Sequence, residues 1–501
     1  MSRTNAHRPQ PAQRTRWLAC GLLLLVAAAC SDRGWLAPPT LEPLLVHVDA
    51  PWFRDAKRRV VLLRGVDLSA LERERDPART RAPRREDFLW LASLGFNLIR
   101  LPIAWASLEP APHTYDFGFL RDKVDPLLRL SNDHGMQVVL AMHQVRWSSC
   151  FDGGSGAPRW TCPDAAARAA RELGWGQADT IAEIRASRAQ CAFFRTGNGP
   201  TGLPLRDHYA GAWRAIARYY EQDKRILGFD LLNEPNPTNC FASLSFVPEA
   251  LDPTYAQLRD VIRDEGAPQA LVYQPSVTRG SALDGAPVGL GANSILAPHL
   301  YTQTFGAPDE GGVDPAALAA AYQRAQLMAR ALGGPLLIGE IGANGPPDGT
   351  YRPVTRRFLE QSLDELDRGL VSGAVWAFVP QGEEIPAAGG LGIGNEEDAA
   401  VLARPFARRI AGIPVAMHFD SGSGEFTFTF RDDPEAKPPD PSEIFLPAKR
   451  VYPDGYDVEV TPGDRFTFDE LNQRLLLYRG TATEHTVRIT RTSTPPRSAA
   501  H

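Results

Sequence analysis

Between residues 60 and 378 the chain keeps returning to one pattern: a short continuous apolar run, a polar loop, an amphipathic stretch, then another apolar run. The runs are VVLLRGV (60–66), FNLIRLP (96–102), MQVVLAM (136–142), ILGFDLL (226–232), ALVYQPS (270–276), SILAPHL (294–300), PLLIGE (335–340) and SGAVWAF (372–378). Continuous rather than alternating apolarity means strands covered on both faces, as in a parallel sheet flanked by helices. Helical periodicity falls between several of them, at 84–94, 206–220, 316–332 and 355–368. Eight such strands with interleaved helices in about 320 residues predict an α/β chain folded as a (β/α)8 TIM barrel, with functional groups where the strands end.

The interval from the third run to the fourth is much longer than the others and holds FDGGSGAP (151–158) and RTGNGPTG (195–202). It is predicted to be an elaborated loop at the functional face, serving either substrate recognition or structural cover. After Pro414 the pattern changes to FTFTF (426–430), EIFLP (443–447), YDVEV (456–460), RFTF (465–468), RLLLYR (474–479) and HTVRIT (485–490). Period-two alternation without helical stretches predicts a small C-terminal all-β sandwich. The expected organisation is an export segment over 1–30, the barrel over 31–414, the sandwich over 415–491 and a tail over 492–501.

In the export segment Arg14 and Arg16 precede an apolar run from Trp17 to Ala29, and Ala27, Ala28 and Ala29 lead into Cys30. That run is too short to cross roughly 30 Å of hydrocarbon as a helix. The small residues before Cys30 resemble the lipobox of bacterial lipoproteins, which implies lipidation of Cys30 and a membrane-anchored exported protein. Ordinary cleavage after Ala29, giving a secreted or periplasmic protein, is the alternative. Cys150, Cys162, Cys191 and Cys240 then form an even set in an oxidising compartment, so two disulfides are expected. Three pairings are possible; Cys150 with Cys162 is favoured by its short loop, leaving Cys191 with Cys240. The CxxC spacing of a structural zinc site is absent from the sequence.

Charge narrows the partners. With 54 Lys+Arg against 59 Asp+Glu the net charge is −5, so no global positive field is available for nucleic acid. A monomer with no cofactor is expected. No metal is expected either, since His143, His208 and His299 include no short-range ligand pair.

The chemistry sits at strand ends. LLNEP (231–235) closes the fourth run with Asn233 and Glu234, and LLIGE (336–340) closes the seventh with Glu340. Two carboxylates at the open end of one barrel suit glycoside hydrolysis, one as proton donor and one as nucleophile. Arg100, His143, His299, Tyr301 and Trp376 lie at or near the ends of the second, third, sixth and eighth runs. In this order the residues resemble glycoside hydrolase family 5, whose retaining barrels carry an Arg, a His, an Asn-Glu pair, a His-x-Tyr, a second Glu and a Trp at successive strand ends.

That resemblance implies Glu340 as nucleophile, kept ionised by Arg100 and Tyr301, and Glu234 as acid/base with a raised pKa. It implies Asn233 on the sugar 2-hydroxyl, Trp376 under the sugar ring, and His143 and His299 orienting hydroxyls and the acid/base. RGVDLS (64–69), AMHQ (141–144), GFDLLNEP (228–235), ARPFARRIAG (403–412), PSEIFLP and YPDGYDVEV further resemble the endoglycosylceramidases of this family. These cleave the β-linkage between sugar and ceramide. The chain departs from them in having Val145, followed by Arg146 and Trp147, where an Asp commonly follows His-Gln. Trp147, Phe151 and Phe305 either receive a lipid aglycone or pack into their own loops. A β-glucanase or cellulase-like endo-hydrolase is the second enzyme expectation; a carbohydrate-binding protein with vestigial catalysis is the alternative of another class.

Overall fold

A computed structural model describes residues 44–492 except 73–80, 152, 163–177, 196, 237–239, 242–244, 277–288, 303–312, 343–352, 381–395 and 436–439. The export segment with Cys30, Phe305 and the tail beyond residue 492 lie outside the described residues.

A hairpin of β1 (Val46–Asp49) and β2 (Trp52–Asp55) leads into β3 (Val60–Val61) and then β4 (Arg64–Leu68). The barrel continues through β5 (Leu98–Ala104), β6 (Gln137–His143), β7 (Ile226–Asp230) and β8 (Ala270–Tyr273). It is completed by β9 (Ser294–Leu296), β10 (His299–Tyr301), β11 (Leu337–Gly342) and β12 (Ser372–Phe378). All pairings from β4 to β9 and from β10 through β11 and β12 back to β4 are parallel. The sixth apolar run is interrupted at Ala297 and Pro298, so β9 pairs with β8 while β10 pairs with β11. The two pieces together make the sixth of the eight staves of the TIM barrel, with Leu296 bridging to Leu336. Helices α1 (Arg85–Ser93), α2 (Asp125–Asp133), α3 (Ala178–Phe194), α4 (Leu205–Tyr219), α5 (Asp252–Asp264), α6 (Pro315–Leu332) and α7 (Pro353–Gly369) lie between the strands.

The long interval before β7 contains α3 and is tied down by two disulfides, Cys150–Cys162 and Cys191–Cys240. Trp147 is 2% exposed and packs on Trp105 and Phe193, with its Nε1 donating to Thr161 Oγ1 at 3.0 Å. Phe151 is equally buried. Both rings belong to the core of their own loop rather than to an open lipid-binding face.

The sandwich differs from its sequence outline in recruiting both ends of the described chain. One sheet runs β1, β2, β3, β13 (Phe406–Ile410), β16 (Ser442–Phe445), β19 (Arg474–Tyr478), β18 (Arg465–Asp469); β14 (Ile413–Phe419), β15 (Phe426–Arg431), β17 (Tyr456–Val460) and β20 (Glu484–Arg491) form the other. The run VVLLRGV is therefore not one barrel strand: Val60 and Val61 pair in the sandwich, while Arg64 onward pairs in the barrel. Both settings bury the chain on two faces, so apolarity alone does not mark the change of sheet. FTFTF alternates as its pattern requires, with Phe426, Phe428 and Phe430 buried in the inter-sheet core beside Phe445, Leu475, Leu477, Val487 and Ile489.

Barrel and sandwich interlock around a glycine. Gly95, just after α1, has φ +89, and a Cβ there would lie 2.6 Å from two carbons of the Phe445 ring. Gly95→Ala is expected to destabilise the protein by about 2–4 kcal/mol through backbone strain and overpacking. Because Phe445 belongs to the sandwich core, chemical unfolding followed by fluorescence should show one transition moved to lower denaturant. An unmoved midpoint would contradict this packing.

Candidate active site

A charged residue inside a strand covered on both faces needs a partner, since an unpaired buried charge is prohibitively costly. Arg100, in the middle of β5, is 0% exposed and meets this requirement fully. Its Nε donates to Asp230 Oδ2 at 2.9 Å and its Nη2 to Asn233 Oδ1 at 2.8 Å. Its Nη1 donates to Asp67 Oδ1 at 2.7 Å and to Glu340 Oε1 at 2.6 Å. Parallel register makes this possible: Asp67 on β4 stands opposite Arg100, and Glu340 on β11 stands opposite His299 on β10.

Glu340 is 2% exposed. Its second oxygen, Oε2, accepts a hydrogen bond from the Tyr301 hydroxyl and lies 3.4 Å from His299 Nδ1. Close approach of these groups depends on Gly339 and Gly342, where a Cβ would come within 3.0 Å of the His299 ring and 2.5 Å of the Tyr301 ring. His143 Nε2 is 3.9 Å from Glu340 Oε1, and its ring stacks on Trp376 with centroids 5.2 Å apart. Trp376 is only partly buried.

Glu234 follows directly after β7 and Leu231–Asn233. It holds a left-handed φ of 45, a conformation that non-glycine residues keep only where their surroundings enforce it. Here Gln274 Oε1 accepts the Glu234 amide at 2.8 Å, and Gln274 Nε2 in turn donates to Asp230 at 3.0 Å. Gln144 closes the other side, its Nε2 donating to the Asn233 carbonyl at 3.0 Å while Asn233 Nδ2 donates to the Gln144 carbonyl at 3.1 Å. The Glu234 side chain, 36% exposed, reaches His299 Nδ1 at 2.9 Å. One ligand atom from each of Glu234, His299 and Glu340 lies within 4.8 Å of the others.

All eight site residues predicted at the strand ends thus come together at one end of the barrel. Asp67, Asp230, Gln144 and Gln274 were not singled out from sequence, although an Asp inside an apolar run, as in RGVDLS and GFDLLNEP, is itself the signal of a buried ion pair. His208 is elsewhere: its Nδ1 lies 3.2 Å from Glu109 Oε1 and its Nε2 2.8 Å from Thr201 Oγ1. Glu109, His113 and His208 also bring ligand atoms within 4.8 Å of one another. The Glu109 oxygens there already accept the His113 amide and Trp105 Nε1, each at 2.8 Å, a structural use.

The acid–base order differs from the one predicted. Burial pushes the Glu340 carboxyl above the ordinary glutamate range, with Glu234 adding to the effect and His299, Arg100 and Tyr301 opposing it. Burial also acts on Glu234, but the hydrogen bond and charge of His299, with the charge of Arg100, hold it below that range. The rise expected for Glu234 rests on partial burial and on the nearby Glu340 carboxylate; the contact with His299, aided by Arg100, outweighs them.

A closed barrel presenting two carboxylates, a buried arginine and an aromatic face at its carboxyl ends defines a glycosidase. The family model for cellulase (glycosyl hydrolase family 5) matches residues 68–380, and that for the glycoside hydrolase family 5 C-terminal domain matches residues 404–490. The chain belongs to glycoside hydrolase family 5. It is 26% identical over 447 residues to endoglycoceramidase I of Rhodococcus hoagii, covering 85% of this chain and 84% of that protein. It is 51% identical to ergosteryl-beta-glucosidase of Saccharomyces cerevisiae over 73 residues, 14% of this chain and 9% of that one. Among solved structures, endo-glycoceramidase II from Rhodococcus sp. in its ganglioside GM3 complex is similar with TM-score 0.67 and 23% identity, over 88% of this chain and 99% of that one. Sterylglucosidase 1 of Cryptococcus neoformans is similar with TM-score 0.72 and 17% identity, over 92% and 99% of the two chains.

The Tyr301 hydroxyl favours the charged form of Glu340, so its removal raises the Glu340 pKa. For Tyr301→Phe the acidic limb of kcat/KM is expected to move to higher pH by about one unit, the size of one hydrogen bond to a charged group. An unmoved limb would separate Tyr301 from the ionisation that governs activity.

Proposed function

We propose that this glycosidase hydrolyses the β-linkage between a sugar and an apolar aglycone by double displacement, with Glu340 as nucleophile and Glu234 as acid/base. The observation that carries the reading is the separation of the two carboxyl groups. Their nearest oxygens lie within 4.8 Å, which suits the roughly 5–5.5 Å of retaining enzymes and leaves no room for the interposed water of inverting ones.

In the first step a Glu340 oxygen attacks the anomeric carbon while the Glu234 proton passes to the glycosidic oxygen, and the aglycone leaves as an alcohol. In the second, Glu234 takes a proton from water, the water oxygen attacks the same carbon, and Glu340 is released. Arg100 and Tyr301 fix the two Glu340 oxygens, so little reorientation is needed as charge moves off the carboxylate. A sugar in the cleft covers the exposed third of Glu234, and the lost hydration favours the neutral acid that the first step needs. Asn233, held through Arg100 and Gln144, is placed to meet the 2-hydroxyl, and Trp376 to meet the ring face.

The choice of aglycone draws support from relatives whose names specify glycoceramide or sterol glycosides, and from the C-terminal sandwich that accompanies the barrel. Trp147 and Phe151, being loop core, do not contribute to it. Export fits the same reading: Arg14, Arg16, the run from Trp17 to Ala29 and Cys30 form a lipoprotein-type leader, and the two disulfides suit an oxidising compartment.

The purified full chain is to be incubated with a glucosylceramide, a steryl glucoside and a soluble β-glucan. Release of free ceramide or sterol is expected; reducing sugar from the glucan alone would overturn the aglycone assignment in favour of an endo-glucanase. In the same assay Glu234→Ala is expected to lower kcat/KM on natural substrates by at least about 100-fold, the contribution of a general acid. Azide should partly restore turnover of an activated aryl glycoside, and lack of any rescue would count against the acid/base role.

A further inference from the structure

The Arg100 cluster contains more negative groups than one guanidinium can balance. Asp67, Asp230 and Glu340 all touch it, and all three are 2% exposed or less. Their other partners are unequal. Asp230 takes two Arg100 donors and both its oxygens lie within 3.2 Å of Gln274 Nε2. Glu340 takes Arg100, the Tyr301 hydroxyl and, at 3.4 Å, His299 Nδ1. Asp67 takes a single donor, Arg100 Nη1 at 2.7 Å, and its Oδ2 is buried with no hydrogen-bond partner among the described residues. A carboxylate accepts several hydrogen bonds when it is stable in a protein interior; a buried oxygen with no protein donor is an inhospitable place for a charge.

We propose that Asp67 carries a proton at working pH and acts as an uncharged positioning residue, orienting Arg100 through its carbonyl-type Oδ1 without competing for the guanidinium charge. Nη1 of Arg100 is shared between Asp67 Oδ1 and Glu340 Oε1, so the protonation state of one bears directly on the other. With Asp67 neutral, the arginine faces two carboxylates instead of three, and its field falls on the catalytic one. The groups that face Asp67 are Arg100 from β5, Glu340 from β11, Asp230 from β7 and Tyr301 from β10; β12, the other flanking strand, carries no titratable side chain in SGAVWAF. Burial acts in the same direction, lifting the Asp67 carboxyl well above the ordinary range against the pull of Arg100, with Glu340 and Asp230 adding to the rise. The protonation state stands independently of the proposed roles of the two glutamates; its consequence for catalysis rests on Glu340 being the nucleophile.

The test compares wild type, Asp67→Asn and Asp67→Ala in the full chain. Infrared difference spectra at neutral pH are expected to show a protonated-carboxyl carbonyl band in wild type that is lost in Asp67→Asn; an identical band in both, or none in wild type, overturns the proposal. Asn reproduces the neutral acid, so the acidic limb of kcat/KM in Asp67→Asn should stay within about 0.3 pH unit of wild type. Had Asp67 been charged, removing that charge beside Glu340 would move the limb to lower pH by about one unit or more, which would refute the neutral form. Asp67→Ala frees Arg100 and is expected to lower kcat/KM at least about 10-fold, with Asp67→Asn recovering most of the loss. Equal activity in the two variants would remove the positioning role. If Asp67→Ala does not fold, the infrared band and the pH limb of Asp67→Asn still decide. If instead Glu340 is not the nucleophile, the infrared result is unchanged while Glu340→Gln keeps turnover, so the two failures are distinguishable.

Discussion

The active site is organised by one buried cation. Arg100 ties together β4, β5, β7 and β11 through Asp67, Asp230 and Glu340, and reaches past β7 to Asn233. Breaking a buried pair of this kind by removing one partner costs about 3–5 kcal/mol, because the remaining charge has nowhere to go. That cost fixes the position of the Glu340 carboxylate before any substrate arrives. The same guanidinium is thus both a strut between staves and the electrostatic partner of the reacting group.

Around that strut the site is built in layers. Gln274 and Gln144 hold the chain at Asn233 and Glu234 from opposite sides, maintaining the left-handed turn that aims Glu234 into the cleft. Glycines 339 and 342 let His299 and Tyr301 lie close against β11. His299 then stands between the two carboxyl groups and sets which of them carries charge more readily. Below, the sandwich closes on the barrel through Phe445 at Gly95 and draws β1 to β3 from the other end of the chain, which ties the two together as one structure.

Much of this was legible in the sequence because each element has a local signature. Eight apolar runs announced the barrel, and LLNEP, LLIGE and the His-x-Tyr at 299–301 announced the strand-end chemistry. FTFTF announced a sandwich face through its alternation, and the cysteine spacing favoured the pairing seen. What escaped was set by partners distant in sequence. The split of VVLLRGV between two sheets leaves no trace in hydropathy, since both halves are buried. The ordering of Glu234 and Glu340 depends on where His299 points. The crowding of three carboxylates on Arg100 appears only once β4, β7 and β11 are brought into register.

The most direct measurement of the account is covalent trapping. A 2-deoxy-2-fluoro β-glycoside with an activated leaving group slows the second displacement more than the first, so the glycosyl-enzyme accumulates. Proteolysis and mass spectrometry should then find one added sugar on the peptide containing Glu340, with Asp67, Asp230 and Glu234 unlabelled. A label on any other carboxylate, or hydrolysis that proceeds with no covalent intermediate and inverts the anomeric centre, would contradict the account.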